Sequence, residues 1–326
     1  MNSFEWADAT SVDEAIGLLG KGAAVKAGGV DLLDLMKEHI SQPSRLVNIR
    51  NVRALEFVRI NGGALEVGPL VTLTAISENP DIRKSFTALA DASGHAATPQ
   101  IRNMATVGGN ILQRPRCWYF RNEDFHCRKK GGEICYAQDG ENQYHAIFNN
   151  KLCAIVHPSA IACALVALGA KLQLAGAKDK REIALEEFLT LPAVDVHREN
   201  SIAADELITQ ITVPAPPVGA TSAYIKQGEK ESFDWPIAEC AVVLERDGQT
   251  CKRASIVLGA AAPVPHRAKE AEDALTGKAI NEESARAAAK AALATALPMT
   301  QNAYKIPIFE TIIARTILAA AAGGAN

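Results

Sequence analysis

Apolar residues fall in short bursts along the chain, and the spacing switches between the helical and the extended period from one burst to the next. "SVDEAIGLL" predicts an amphipathic helix capped by Ser11. Ala23 to Val25 form a strand-like stub that leads into paired glycines and the helical pattern "VDLLDLMKE". "RLVNIRN" and "LEFVRI" predict short strands, and "ALEVGPLVTLTAI" predicts a strand, a turn and the start of a helix. "SFTALADASGHAATPQIRN" predicts a helix that ends near Gly94 and Pro99, before the glycines of "TVGGN". A helix from about Pro158 to Gly169 then leads to the strand "AKLQLAG".

Val213 to Tyr224, rich in proline and small residues, is the best linker candidate. Beyond it "AYIKQGE", "IAECAVVLERDG" and "CKRASIVLGAAA" alternate like antiparallel strands, with Asp247-Gly248 as a hairpin turn. Alanine-rich helical segments follow around 266–276, 282–296 and 308–321. The expected class is α+β, with a loop-rich front portion and a smaller back portion of sheet plus helices.

The 326 residues allow two or three domains, and 48% hydrophobic with 22% charged residues is the balance of a soluble globular protein. A net charge of −3 argues against nucleic acid or an anionic membrane as partner. The start lacks the basic and apolar pattern of a signal peptide, and "FETIIARTILAAAA" is too short and too charged to span a bilayer, so no membrane span is expected. Seven cysteines in so long a chain make a disulfide scaffold the least favoured reading.

Two glycine pairs, in "KAGGVDLL" and "TVGGN", allow backbone N–H groups to converge on an anion. Neither fits the dinucleotide fingerprint or the phosphate loop, so each alone reads as a turn, while the two together could clasp a pyrophosphate. Cys117, Cys127, Cys135 and Cys153 follow the spacing C-x9-C-x7-C-x17-C. Structural zinc sites usually contain a close C-x2-4-C pair and this set has none, whereas [4Fe–4S] ligand spacings vary widely. Spacing alone leaves cluster, zinc and unconnected thiols open. Cys163, Cys240 and Cys251 fall in helix or strand patterns and read as buried small hydrophobes. His95, His126, His145 and His157 have no assigned role, although His126 adjoins Cys127. The basic "CRKK" run (Cys127 to Lys130) reads first as a solvated loop and second as a docking surface for an acidic redox protein.

"AGGVDLLDLMK" (Ala27 to Lys37), "GPLVTLTAI" (Gly68 to Ile76), "PQIRNMATVGGNI" (Pro99 to Ile111) and "APVPHRAKEAE" (Ala262 to Glu272) occur in an order that resembles the FAD-binding medium subunits of molybdenum hydroxylases. That group contains xanthine and carbon monoxide dehydrogenases. The resemblance implies a two-subdomain FAD-binding fold similar to that of vanillyl-alcohol oxidase flavoproteins, followed by a domain with a small antiparallel sheet and helices. The expected boundaries are residues 1–56, 57–218 with a cysteine-rich insertion at about 113–156, and 219–326.

It further implies that Lys26, Ala27, Gly28, Gly29, Val30, Asp31 and Leu32, with Thr106, Gly108, Gly109 and Asn110, bind the FAD pyrophosphate and its neighbours. Gly68 and Thr72 would sit beside the cofactor, and Tyr224 and Lys226 would approach the flavin ring. Val30 stands where the family commonly has Thr or Asn, and Ala160 where it usually has Asp, which weakens FAD binding by ~1–3 kcal/mol. "LQRPRCWYF" and "KLCAIVHPS" match the two ends of an insertion found in a subgroup similar to 4-hydroxybenzoyl-CoA reductase and periplasmic aldehyde oxidoreductase. In that subgroup four cysteines hold an extra [4Fe–4S] cluster, which Trp118, Tyr119 and Phe120 would shield here.

No catalytic acid–base set is visible, so the chain is expected to be an electron-transfer oxidoreductase subunit that does not turn over substrate alone. Its implied partners are a molybdopterin-binding large subunit, a [2Fe–2S] small subunit, and an outside redox partner such as ferredoxin, NAD, quinone or oxygen. The rival readings are a self-sufficient flavin oxidoreductase and a structural zinc protein on a flavoprotein-like scaffold. A cytoplasmic location is expected, with periplasmic co-export on a partner as the alternative.

Overall fold

The structure, a computed structural model, describes residues 1–323. A small parallel sheet comes first, made of β1 (Glu5–Asp8), β2 (Ala23–Lys26) and β3 (Arg45–Asn48) in the order β1-β3-β2. Parallel neighbours need crossover connections. These are α1 (Val12–Leu18), capped by the Ser11 hydroxyl accepting from the Glu14 N–H, and α2 (Val30–Lys37).

An antiparallel sheet follows, in the order β4-β5-β8-β6-β7: β4 (Val58–Asn61), β5 (Ala64–Val67), β6 (Lys171–Ala175), β7 (Lys180–Ala184) and β8 (Leu207–Val213). Its helices are α3 (Leu73–Glu78), α4 (Pro80–Ser85), α5 (Thr87–Gly94), α6 (Pro99–Arg102), α7 (Val107–Ile111), α8 (Ala160–Ala167) and α9 (Leu185–Phe188). Leu65, Leu172, Ile208 and Ile211 from the strands share one core with Phe86, Leu89, Ile161 and Leu165 from the helices. α8, "AIACALVA", is apolar all round and correspondingly buried at every position.

The last sheet has the order β12-β11-β10-β9: β9 (Thr221–Gln227), β10 (Ala238–Asp247), β11 (Thr250–Gly259) and β12 (His266–Arg267). Both of its faces are covered. Tyr224, Ala241 and Val257 join the core of the second sheet, while Ala238, Cys240, Val242 and Leu244 pack on α10 (Lys269–Leu275), α11 (Glu282–Ala292) and α12 (Lys305–Ala321). Gly248 (φ 58°) takes the left-handed conformation that the β10–β11 hairpin requires. The proline-rich segment at 214–220 joins β8 to β9, so the linker expected over 213–224 is shorter than the sequence suggested because both ends are recruited into strands. Among the described residues, no helix is long and apolar enough to cross a membrane.

Candidate functional site

The two glycine loops meet in space. Gly29, in the left-handed conformation (φ 81°), starts α2, and no side chain caps that helix. The N–H groups of its first turn, with the positive end of the helix dipole, are therefore left for a ligand or water. α7 starts at Thr106, whose hydroxyl accepts from the Gly109 N–H, and the Gly108 N–H donates to the Pro69 carbonyl. A Cβ on Gly28 would lie 2.0 Å from the Met104 carbonyl oxygen, and one on Gly108 would lie 2.7 Å from the Pro69 side chain. These glycines are needed for close backbone approach rather than for an unusual φ. The Ser159 hydroxyl caps α8 and donates to Asn110 Oδ1 at 2.6 Å, tying a third helix start to the same place.

Around this junction lies a cleft of about 620 Å³. Ala27, Gly28, Gly29, Val30, Asp31, Leu32, Thr106, Gly108, Gly109, Asn110 and Lys226 all line it. The other four expected residues stand behind the wall. Lys26 turns toward Asn48 Oδ1 (3.4 Å) and the Trp6 ring, and Gly68 packs on the Leu55 carbonyl. Thr72 caps α3 and bridges to Thr106, and Tyr224 is buried with its hydroxyl on Glu239. The cleft also takes in His95 to Thr98, Arg114, Arg116, Phe233 to Pro236 and Glu239, which the sequence reading did not include. Glu239 had a visible signal, a lone carboxylate inside the otherwise apolar run "IAECAVV". Ala160 lines the cleft in the first turn of α8.

The insertion is fastened to α2 and to the rest of the chain by buried polar contacts. Asp31 Oδ1 accepts from Arg116 (2.8 Å) and Arg121 (2.7 Å), while its Oδ2 accepts from the Arg114 N–H (2.9 Å). Asp34 adds a second contact to Arg121 at 2.9 Å. Asp31 thus lines the cleft with its charge already balanced by insertion arginines. Glu199 holds Arg114 (3.0 Å) and Lys129 (2.7 Å). Burial opposes the Glu199 charge, but the two cations outweigh it and keep the carboxyl below the usual range. On the far side, Asn142 accepts from the Gln301 N–H, and Asn150, Asn302 and Lys305 donate to backbone carbonyls across the junction with the C-terminal helices. "CRKK" is accordingly not a solvated loop. Lys129 is only 3% exposed, and Arg128 is spent on the Glu133 and Leu152 carbonyls.

Cys117, Cys127, Cys135 and Cys153 line one small cavity together with Tyr119, Phe120, Tyr136 and His145. All seven cysteines are free thiols. Cys153 shares a hydrogen bond with Cys135, which pulls the Cys135 thiol down to about 6 and pushes Cys153 up. Burial pushes Cys117 up to about 12. His145 Nε2 lies 3.2 Å from Cys117 Sγ, whereas His126, the histidine adjacent in sequence, is exposed. Burial holds His145 down to about 4, so the ring is neutral. Phe120 packs with Leu35 of α2 and Cys127, and Trp118 stands edge-on to His145 at 5.2 Å. Among the described residues no three His, Cys, Asp or Glu side chains converge tightly enough to hold one metal ion.

Comparison with known proteins agrees with this geometry. Residues 2–216 match the family described as the FAD binding domain in molybdopterin dehydrogenase, and residues 223–320 match the CO dehydrogenase flavoprotein C-terminal domain. The chain is 31% identical to the aldehyde oxidoreductase FAD-binding subunit PaoB of Escherichia coli over 92% of each chain. It is 28% identical to the carbon monoxide dehydrogenase medium chain of Hydrogenophaga pseudoflava over 90% of this chain and 88% of the relative. A chain of the carbon monoxide dehydrogenase structure from that organism superposes with a TM-score of 0.77 at 28% identity, covering 99% of both chains. The chain belongs to the FAD-binding medium subunits of the molybdenum hydroxylases, a family of oxidoreductase subunits.

Proposed function

We propose that this subunit carries FAD in the cleft and a [4Fe–4S] cluster on Cys117, Cys127, Cys135 and Cys153, and that it passes electrons between iron–sulfur centres of a partner subunit and an outside donor or acceptor. The observation that carries this reading is the placement of Asp31. One residue lines the cleft and, through Arg116 and Arg121, holds the loop that brings the four cysteines to a common cavity.

The residues present fit both groups. A cleft of about 620 Å³ lies within the ~300–1,000 Å³ of cofactor sites, and the uncapped start of α2 offers N–H donors to a pyrophosphate. FAD supplies the conversion between one-electron and two-electron carriers. Thr106 and Asn110 hold the second loop in place, and Lys226 brings positive charge to the wall where an anionic cofactor would lie. Four thiols lining one small cavity offer the ligand set of a cluster, whose ligands stand farther apart than those of a single ion. The lowered Cys135 thiol would be the first to deprotonate. The partners that follow are a molybdopterin-binding large subunit and a [2Fe–2S] small subunit, with substrate handled outside this chain.

The test is flavin, iron, acid-labile sulfide and zinc content per chain on protein purified without oxygen. One FAD with about four iron and four sulfide supports the reading. Zinc without sulfide refutes the cluster, absent flavin refutes the cofactor, and flavin reduced by a small substrate without partners refutes the division of labour.

A further inference from the structure

His145 is a buried imidazole, 4% exposed, whose two ring nitrogens meet different surroundings. Its Nε2 lies 3.2 Å from Cys117 Sγ, in the cavity that the four cysteines share. Its Nδ1 has no hydrogen-bond partner. A neutral imidazole carries one ring proton, and a proton on Nδ1 would be a buried donor with nothing to receive it. Once Cys117 binds iron its sulfur has no proton to give, because the thiolate is the ligand. The contact is then satisfied only with the proton on Nε2, donated to sulfur.

The backbone on either side of the ring is tied down. The His145 N–H donates to the Asn142 carbonyl at 3.0 Å. The His145 carbonyl accepts from Asn302 Nδ2 at 3.0 Å and from Lys305 Nζ at 3.1 Å. Both of those side chains are fully buried, and Lys305 is fixed a second time on the Ala260 carbonyl. The Trp118 ring stands edge-on to the imidazole at 5.2 Å, and the Tyr119 ring is 6.2 Å away. The backbone N–H groups of Tyr119 and Phe120 also bond the Cys117 sulfur, so several donors converge on this one atom.

We infer that His145 donates Nε2–H to the Cys117 ligand of the [4Fe–4S] cluster and raises the cluster's reduction potential, with Asn302 and Lys305 of the C-terminal portion as the residues that position it. This rests on the reading that the four cysteines hold such a cluster. An electron added to the cluster increases the negative charge on its sulfurs. A donor 3.2 Å from one of them therefore stabilises the reduced state more than the oxidised one. The electron comes from a one-electron carrier of a partner, or from dithionite in the test. No proton moves, and His145 keeps its ring proton in both states.

The experiment is EPR-monitored potentiometry of the full chain purified without oxygen, joined to pulsed EPR of the reduced cluster with 15N-labelled histidine. Wild type should show one weak histidine nitrogen coupling, of a hydrogen-bonded rather than an iron-bound imidazole. His145→Phe keeps the ring shape without the donor. It should lose the coupling and lower the equilibrium constant for cluster reduction about tenfold, ~59 mV for one electron. His145→Gln places an amide N–H near the same point and should recover much of the wild-type potential. A wild-type chain that holds iron and sulfide but shows no histidine coupling overturns the inference and leaves the cluster in place. So does a coupling as strong as direct ligation, or an unchanged potential in His145→Phe. The labelling measurement is made on wild type, so it decides even where His145→Phe fails to take up iron. A wild-type chain without iron overturns the cluster reading and this inference together.

Discussion

Replacing Asp31 with alanine should loosen the cysteine-bearing insertion selectively. Asp31 meets Arg116 and Arg121 with side chains only 22% and 12% exposed, and its second oxygen holds the Arg114 N–H. Removing one partner of a buried ion pair costs ~3–5 kcal/mol, because the charge left behind stays desolvated. Here Asp34 remains 2.9 Å from Arg121 and 3.8 Å from Arg116, which places the cost near the lower end, about 3 kcal/mol. Asp34 is itself 51% exposed, so Asp34→Ala should cost ~0.5 kcal/mol. Asp31→Asn keeps an acceptor for the Arg114 N–H and isolates the charge. For 326 residues at ~2.1 cal/mol/K each, 3 kcal/mol corresponds to about 4 °C in Tm if the chain melts as one unit. Because a chain of several layers need not do so, the sharper assay is native-state amide exchange within 113–156. The opening free energy of those amides should fall in Asp31→Ala and hardly move in Asp34→Ala. Equal effects of the two substitutions, or unchanged exchange in the insertion, would refute the claim that Asp31 is the fastener.

Other substitutions probe the remaining parts. Gly28→Ala puts a methyl against the Met104 carbonyl and should weaken FAD binding at least tenfold, a loss of ~1.4 kcal/mol or more, in a fluorescence titration, whereas Gly17→Ala, with open space around it, should leave binding unchanged. Serine at Cys117, Cys127, Cys135 or Cys153 should lower iron and sulfide content, while Cys251→Ser, buried among the C-terminal helices, should not. Glu239 has its folded pKa raised from an ordinary 4.5 to about 7, so the folded chain keeps a proton that the unfolded chain has already released. Stability should therefore fall by about 3 kcal/mol as pH rises from 4.5 to 7 and Glu239→Gln should abolish that fall in urea unfolding of the apoprotein. Lys305, lowered to about 7, works in the opposite sense and should return stability as pH rises above 7 in both proteins.

Much of the scaffold was legible because local chemistry and tertiary packing agree. The Ser11 cap, the Asp247-Gly248 turn and the apolar run of β10 each carry their own signal. Strands without such a signal were missed. β1, "EWAD", is mostly exposed and lies at a sheet edge, while β7, "KREIA", is a polar edge strand beside β6. Both are held in place by neighbours distant in sequence rather than by alternation of their own. The helix expected to end near Gly94 does close there, and the chain then turns at Ala97, with a positive φ, before Thr98 caps a new turn at Pro99. In the site, the glycine loops were readable as loops, but not the reason for Gly28 and Gly108, which is their contact with backbone far along the chain. Nor could spacing reveal that Lys129, in a basic run, is buried on Glu199.

The two departures from the family pattern take on a specific meaning in this geometry. Val30 is the first residue of an uncapped helix, so its side chain is not what a pyrophosphate would meet first; the backbone N–H groups of that turn are. A missing hydroxyl there removes one contact and leaves the dipole untouched. Ala160 is different, since it lines the cleft from the first turn of α8, where the resemblance implies a carboxylate. The neighbouring Ser159 hydroxyl is already engaged as helix cap and as donor to Asn110, so it cannot stand in without releasing the second glycine loop. Lys226 instead brings positive charge to this cleft, and the acidic groups on its wall are either balanced, as Asp31 is by Arg116, or able to hold a proton, as Glu239 is. On the reading that FAD lies in this cleft, alanine at 160 supplies no side-chain acceptor while the N–H donors at the start of α2 remain, so the donors of the cleft are matched to the anionic phosphates of the cofactor.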